Sequence, residues 1–137
     1  MEKTLVLLKP DIVRRKLIGR ILSIYEENGL IIEKMYICNA QKGILDKHYE
    51  EHINRDFYPK LVNYMTSDRI VAVLVAGEEA VQLVRDINGA TNPEKAMPNT
   101  IRFLYGENIT ENSVHGSASL EEARKEVLIW FPEEIDN

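Results

Sequence analysis

His115 sits in the stretch N-S-V-H-G-S-A-S, residues 112 to 119, after a β-branched residue and just ahead of Gly116 and Ser117. An imidazole titrates near ~6.5, so at neutral pH it is mostly uncharged and carries a nucleophilic lone pair. Nucleophilic work requires one ring nitrogen to be free and the other to be fixed by a hydrogen bond. Gly116 lets a backbone or a substrate come close. Ser117 offers a hydroxyl, and Glu126 can reach back from the helix that follows as an orienting carboxylate. The same pattern also suits a core histidine hydrogen-bonded to backbone.

Cations recur at suggestive places. Lys9 ends an apolar run just before Pro10, and strand ends are where sheet proteins put ligand contacts. Arg102 follows N-G-A-T-N-P-E-K-A-M-P-N-T, residues 88 to 100, which fits neither the helical nor the strand period. Loops of that length in a compact domain tend to be functional or disordered, so one that delivers an arginine is a candidate ligand-binding element. Arg85 lies late in an amphipathic helix, where a cation suits the helix dipole. Taken singly, each of the three also reads as structural.

His48 and His52 lie four residues apart in H-Y-E-E-H, as two metal ligands on one helix face could. The zincin pattern needs glutamate directly after the first histidine, and that position is Tyr49. A solvated helix is the expectation there. Phe57 and Tyr58 open another helix, where aromatics usually staple the helix to the core. An exposed Phe57 could instead stack on a planar base of any kind.

The elements that must position these groups follow from periodicity. Residues 4–8, 30–38 and 70–76 read as strands, and 112–116 as a short fourth. Leu17, Ile18, Ile21, Leu22 and Tyr25 recur at helical spacing before Asn28-Gly29, a C-cap signal. A polar helical stretch is expected around Leu45 to His52, and a further helix from Asp56 as N-cap, with Leu61, Val62 and Met65 inward. Glu79 to Ile87 reads as a helix closed by Asn88-Gly89. Ser119-x-x-Glu122 matches a capping box for a last helix with Leu120, Ala123 and Val127 buried. The order β-α-β-(α)-β-α-β-α predicts an α+β fold: a ferredoxin-like four-stranded antiparallel sheet covered by helices, as one domain over residues 1–137.

Composition narrows the function. With 137 residues, 45% apolar and 28% charged, the chain reads as globular. A net charge of -5 argues against a general nucleic-acid binder, which needs a basic field. Cys38 is the one cysteine, so no internal disulfide and no cysteine-based zinc site can form. No stretch approaches the ~20 apolar residues of a membrane span, and the cytosol is the expected compartment.

Asn112-x-x-His115-Gly116-Ser117, followed by a serine-capped helix ending in L-I-W-F, resembles the active-site motif of the nucleoside diphosphate kinases. T-L-V-L-L-K-P-D at 4–11, H-Y at 48–49, R-x-F-Y at 55–58, L-V-x-Y-M at 61–65, G-A-T-N-P at 89–93 and Thr100-Ile101-Arg102 recur in the family's order. The resemblance implies transfer of the terminal phosphoryl group of a nucleoside triphosphate to a nucleoside diphosphate, by ping-pong through a phosphohistidine on His115, with little base selectivity. It implies that Ser117 and Glu126 orient His115. Lys9, Tyr49, Arg85, Thr91 and Arg102 would hold phosphates or ribose, Asn112 the sugar-hydroxyl side, and Phe57 the base. It further implies Mg²⁺ carried by the nucleotide phosphates rather than by protein side chains, and a homo-oligomer, hexamer or tetramer. The usual H-G-S-D-S of the family reads H-G-S-A-S here, with Ala118; F-L-Y follows Arg102 where glycine and aspartate are usual, and Thr110-Glu111 replaces a small-basic pair. Position 118 is not the nucleophile, so activity is expected to survive. A catalytically weak nucleotide-binding or regulatory module of the same fold is the alternative.

Overall fold

The computed structural model describes residues 1–136. Its strands β1 (Glu2–Leu8), β2 (Ile31–Cys38), β3 (Ile70–Gly77) and β4 (Val114–Gly116) form one antiparallel sheet in the order β2-β3-β1-β4. The central strands β1 and β3 are covered on both faces, which is why they read as unbroken apolar runs. Alternation then splits their side chains between two cores. Val6, Leu8, Val71, Val73 and Val75 pack with Ile21, Tyr25 and Val84 on one face. Leu5, Leu7, Ala72 and Leu74 pack with Leu45, Met65, Val127 and Trp130 on the other. The helices supplying these layers are α2 (Ile18–Glu27) and α5 (Ala80–Asn88) on the first face, and α3 (Lys42–His48), α4 (Tyr58–Met65) and α7 (Leu120–Trp130) on the second. This is the split βαβ, ferredoxin-like arrangement that the element order predicts.

Several local expectations need correction. The stretch expected to be helical through His52 stops at His48, so His48 and His52 do not share a helix face. Phe57, not Asp56, occupies the N-cap of α4, and no side chain bonds there. Leu120 is 39% exposed rather than part of the buried stripe, while Glu126 takes a buried place on α7. Two short elements escape the periodicity because they are too brief to show one: α1 (Pro10–Arg14), with proline in its first turn, and α6 (Ile101–Tyr105), capped by the Thr100 hydroxyl. The long loop itself contains a 3-10 turn at Pro93–Lys95. The Ser119 cap is as expected: its hydroxyl accepts from the Glu122 amide at 3.1 Å.

Two close approaches fix the strand that carries His115. A Cβ on Gly116 would lie 2.7 Å from Val84 Cγ1 and 2.9 Å from Asn88 Nδ2, so glycine lets α5 pack directly on β4. Gly89 ends α5 at φ +87°, and a Cβ there would lie 2.4 Å from Thr100 Oγ1. Ser113, just before β4, is buried with φ +75°, a left-handed conformation uncommon for a side-chain-bearing residue and concentrated at functional sites. Its carbonyl accepts the Lys9 amide at 2.9 Å, tying the end of β1 to the start of β4.

Candidate active site

The register Leu7↔His115 places the imidazole beside the central strand, on the face covered by α3 and α7. There His115 Nε2 lies 2.8 Å from Glu126 Oε1. The Ser117 hydroxyl donates to the same oxygen at 2.6 Å. Burial alone would push the Glu126 carboxyl up, but bonds from His115 and Ser117 and the nearby imidazoles outweigh it, and the acid stays ionised below its usual range. An ionised carboxylate accepts only, so the nitrogen facing it is the one that carries the ring proton. Nδ1 is therefore the nitrogen left with a lone pair. His115 also lines an open cleft of about 960 Å³, so its ring is not walled off in the interior.

The cations converge on this cleft. Lys9, Arg85 and Arg102 all line it, together with Tyr49, Thr91 and Asn112. Lys9 is buried, and its ammonium donates to Asn112 Oδ1 at 2.6 Å. Asn112 in turn donates from Nδ2 to the Thr91 carbonyl at 3.0 Å, so it couples the lysine to the loop as well as lining the cleft. Burial, reinforced by the Arg102 charge and opposed by Asp11, pulls Lys9 down to about 7. Arg102 clamps the floor, donating to the Gly89 carbonyl at 2.7 Å and the Val114 carbonyl at 2.8 Å. Its Nε is buried without a partner. Arg85 is exposed at the rim. Burial raises the Tyr49 phenol, keeping it a neutral donor.

Away from His115 the cleft is open to solvent at Phe57. Phe57 is 50% exposed there, with the His52 ring 5.5 Å away and Leu61 alongside. An exposed aromatic at the mouth of a polar cleft offers a flat face to a planar ligand. Ala118 lines the cleft but takes part in none of the bonds that hold His115, which run through Ser117 and Glu126.

The geometry gathers a histidine with one bare nitrogen, a cluster of cations and an aromatic platform in one cleft. The chain's sequence also matches the model of a known family, nucleoside diphosphate kinase, over residues 2–135. The chain belongs to the nucleoside diphosphate kinase family. Among its relatives is a nucleoside diphosphate kinase of Clostridium perfringens (strain SM101 / Type A), 49% identical over 96% of this chain and 92% of that protein. That of Caldanaerobacter subterraneus subsp. tengcongensis is 47% identical over 98% and 97%. The crystal structure of nucleoside diphosphate kinase from Encephalitozoon cuniculi superposes with a TM-score of 0.92 at 35% identity, covering 96% of this chain and 89% of that one.

Every site residue expected from sequence falls in or against this family member's cleft: His115, Lys9, Tyr49, Phe57, Arg85, Thr91, Arg102 and Asn112 line it, and Ser117 and Glu126 lie behind His115. One neighbour differs from expectation. His48, expected on a solvated helix, packs its ring 4.6 Å from that of His115, edge to face. Its Nδ1 accepts from the Trp130 indole at 3.1 Å. No local period could reveal this, because the partners lie on β4 and α7. His48, His115 and Glu126 each bring one potential metal-ligand atom within 4.8 Å of the others, so the grouping forms around His115 rather than with His52.

Proposed function

We propose that the chain, as a single domain over residues 1–137, transfers the terminal phosphoryl group of a nucleoside triphosphate to a nucleoside diphosphate through a phosphohistidine at His115. The observation that carries this reading is the hydrogen bond from His115 Nε2 to Glu126, which leaves Nδ1 bare in a cleft lined by Lys9, Arg85 and Arg102. In the first half-reaction the Nδ1 lone pair attacks the terminal phosphorus. The P–N bond forms as the bond to the bridging oxygen breaks, and the diphosphate leaves with that electron pair. The imidazole becomes cationic in the process, and Glu126 stabilises it through the Nε2 proton. The second half-reaction reverses these steps with a different diphosphate.

Phosphoryl transfer asks a protein mainly for positioning and charge neutralisation. Lys9, Arg85 and Arg102 supply the charge, and Tyr49, Thr91 and Asn112 supply neutral donors for phosphate or ribose oxygens. Phe57 stacks on the base, and a stacking face reads no base edge, which accounts for low base selectivity. The polar lining of the cleft is dominated by cations, amides and hydroxyls, and Glu126 is already engaged. That donor set fits Mg²⁺ held by the nucleotide phosphates and water rather than by the chain. When bound, the ion would neutralise charge on the phosphate oxygens.

Among the described residues no helix is long and apolar enough to cross a membrane. The cytoplasm is the compartment that goes with this reading. A homo-oligomer is part of the same reading. Strand β2 lies at a sheet edge with Ile31, Met35 and Ile37 each about half exposed, an edge of the kind that natural proteins cover.

Incubation with ATP and Mg²⁺ followed by intact-mass analysis should reveal one phosphoryl group per chain, lost in acid, stable in alkali, and discharged by added diphosphate. Absence of that adduct, or its persistence in His115→Ala, would overturn the proposal.

A further inference from the structure

Two imidazoles take no part in the proposed reaction: His52, beside Phe57, and His48, which packs against His115. His48 is nonetheless held through its Nδ1. The Trp130 indole N–H is a donor only, so the His48 Nδ1 that meets it at 3.1 Å must present a lone pair, and the ring proton belongs on Nε2. Trp130 is itself held, since its carbonyl accepts the Tyr36 hydroxyl of β2 at 2.8 Å. A continuous chain of fixed groups therefore runs from β2 through Trp130 and His48 to His115 and Glu126. The titratable groups facing His48 are His115 from β4, Glu126 from α7, Lys9 from the end of β1, His52 from the turn after α3 and the neutral Tyr49 phenol, whose ring lies 4.6 Å from the His48 ring. Burial, with help from the charges of His115, Lys9 and His52 and against that of Glu126, pulls His48 down to about 3.

A metal is a poor occupant for the trio of His48, His115 and Glu126. The lone pair on His48 Nδ1 is taken by the indole, and Nε2 of His115 is taken by the carboxylate. A second charged imidazole would be no better, because it would compete with His115 for Glu126 and repel the buried Lys9. A neutral ring packed edge to face at 4.6 Å instead leaves the His115 ring little room to turn.

Building on the phosphohistidine reading, we propose that His48 is a positioning residue. Bonded to Trp130 through Nδ1, it walls the His115 ring so that Nε2 stays on Glu126 and Nδ1 stays bare toward the nucleotide. His48 is not among the residues that line the cleft, so its effect falls on the rate of phosphoenzyme formation rather than on nucleotide affinity.

The test combines rapid-quench phosphorylation by ATP and Mg²⁺ with NMR of the protein carrying ¹⁵N-labelled histidine. Wild type that forms no phosphoenzyme defeats the phosphohistidine reading, whatever His48 does. If wild type does form it, His48→Ala, which takes the wall away, should form it on the order of 10²-fold more slowly, the scale of a misplaced reacting group, with ATP affinity little changed. Trp130→Phe leaves the wall but frees the lone pair, so His48 should gain a proton as pH falls and add an acid limb to the rate profile. A merely structural role would lower stability without moving that profile. Wild-type rate and profile in both variants would overturn the proposal. So would NMR of the wild-type protein in which His48 titrates between about pH 5 and pH 8 or carries its proton on Nδ1. That spectrum decides the matter even if His48→Ala does not fold.

Discussion

The two ends of the cleft are built differently. At the His115 end, Ser117 and Glu126 are buried, and the ring is held by a carboxylate on one side and His48 on the other. At the outer end, Phe57, Arg85 and Thr91 are exposed and come from a helix start, a helix surface and a loop. Chemistry at a single nitrogen needs one geometry, and packing against the sheet supplies it. Gripping nucleotides with different bases needs a surface that tolerates change, and exposed groups outside the core supply that.

Substitutions at the two ends should therefore fail in different ways. The largest effect belongs to the buried end. Glu126→Ala removes the partner of Nε2 and should lower the phosphorylation rate by on the order of 10²-fold or more with KM nearly constant, read in single-turnover kinetics. A rise in KM alone would erase the contrast between the ends. Phe57→Ala should do the reverse: loss of about 1–3 kcal/mol of stacking raises KM roughly tenfold for every base alike, while phosphoenzyme still forms.

Lys9 lies between the ends and sharpens the comparison through pH. Its folded value of about 7 is below its ordinary 10.5. A bound phosphate favours the charged form and raises that value. Binding should then take up a proton between about pH 7 and 10.5. Nucleotide affinity should fall across that window, by at most tenfold per pH unit. Calorimetry in buffers of different ionisation enthalpy measures the proton directly. For the empty protein the pH dependence of stability is the opposite of that of a stabilising pair. Below pH 7 the buried ammonium is charged in both states and costs stability, and that cost is relieved as pH rises from 7 toward 10.5.

The smallest effect is away from the chemistry. Ser119→Ala removes the N-cap of α7 and should cost about 1 kcal/mol of stability in thermal unfolding. Because α7 carries Glu126, a loss of rate beyond that caused by partial unfolding would mean the buried end is less firmly held than its bonds imply.

Much of this was legible in the sequence wherever a signal is local and repeated. The apolar runs at 4–8 and 70–76 mark the central strands, Asn28-Gly29 marks a helix end, and Ser119-x-x-Glu122 marks a cap. His115 with Gly116 and Ser117 announced a reactive position because a small residue and a hydroxyl flank an imidazole. Glycine's role there was only half read. It admits α5, through Val84 and Asn88, as well as keeping the cleft side small.

What the sequence determined by itself was the alternation of elements and the identity of the reacting groups, since periodicity and side-chain chemistry are written residue by residue. The tertiary structure alone decided which nitrogen of His115 is bare and how far Lys9 is pulled from its ordinary value. It also decided that His48 stands against the nucleophile rather than in water. Each of these depends on groups brought together from separate strands and helices, and on the loss of water around them when the sheet and helices close.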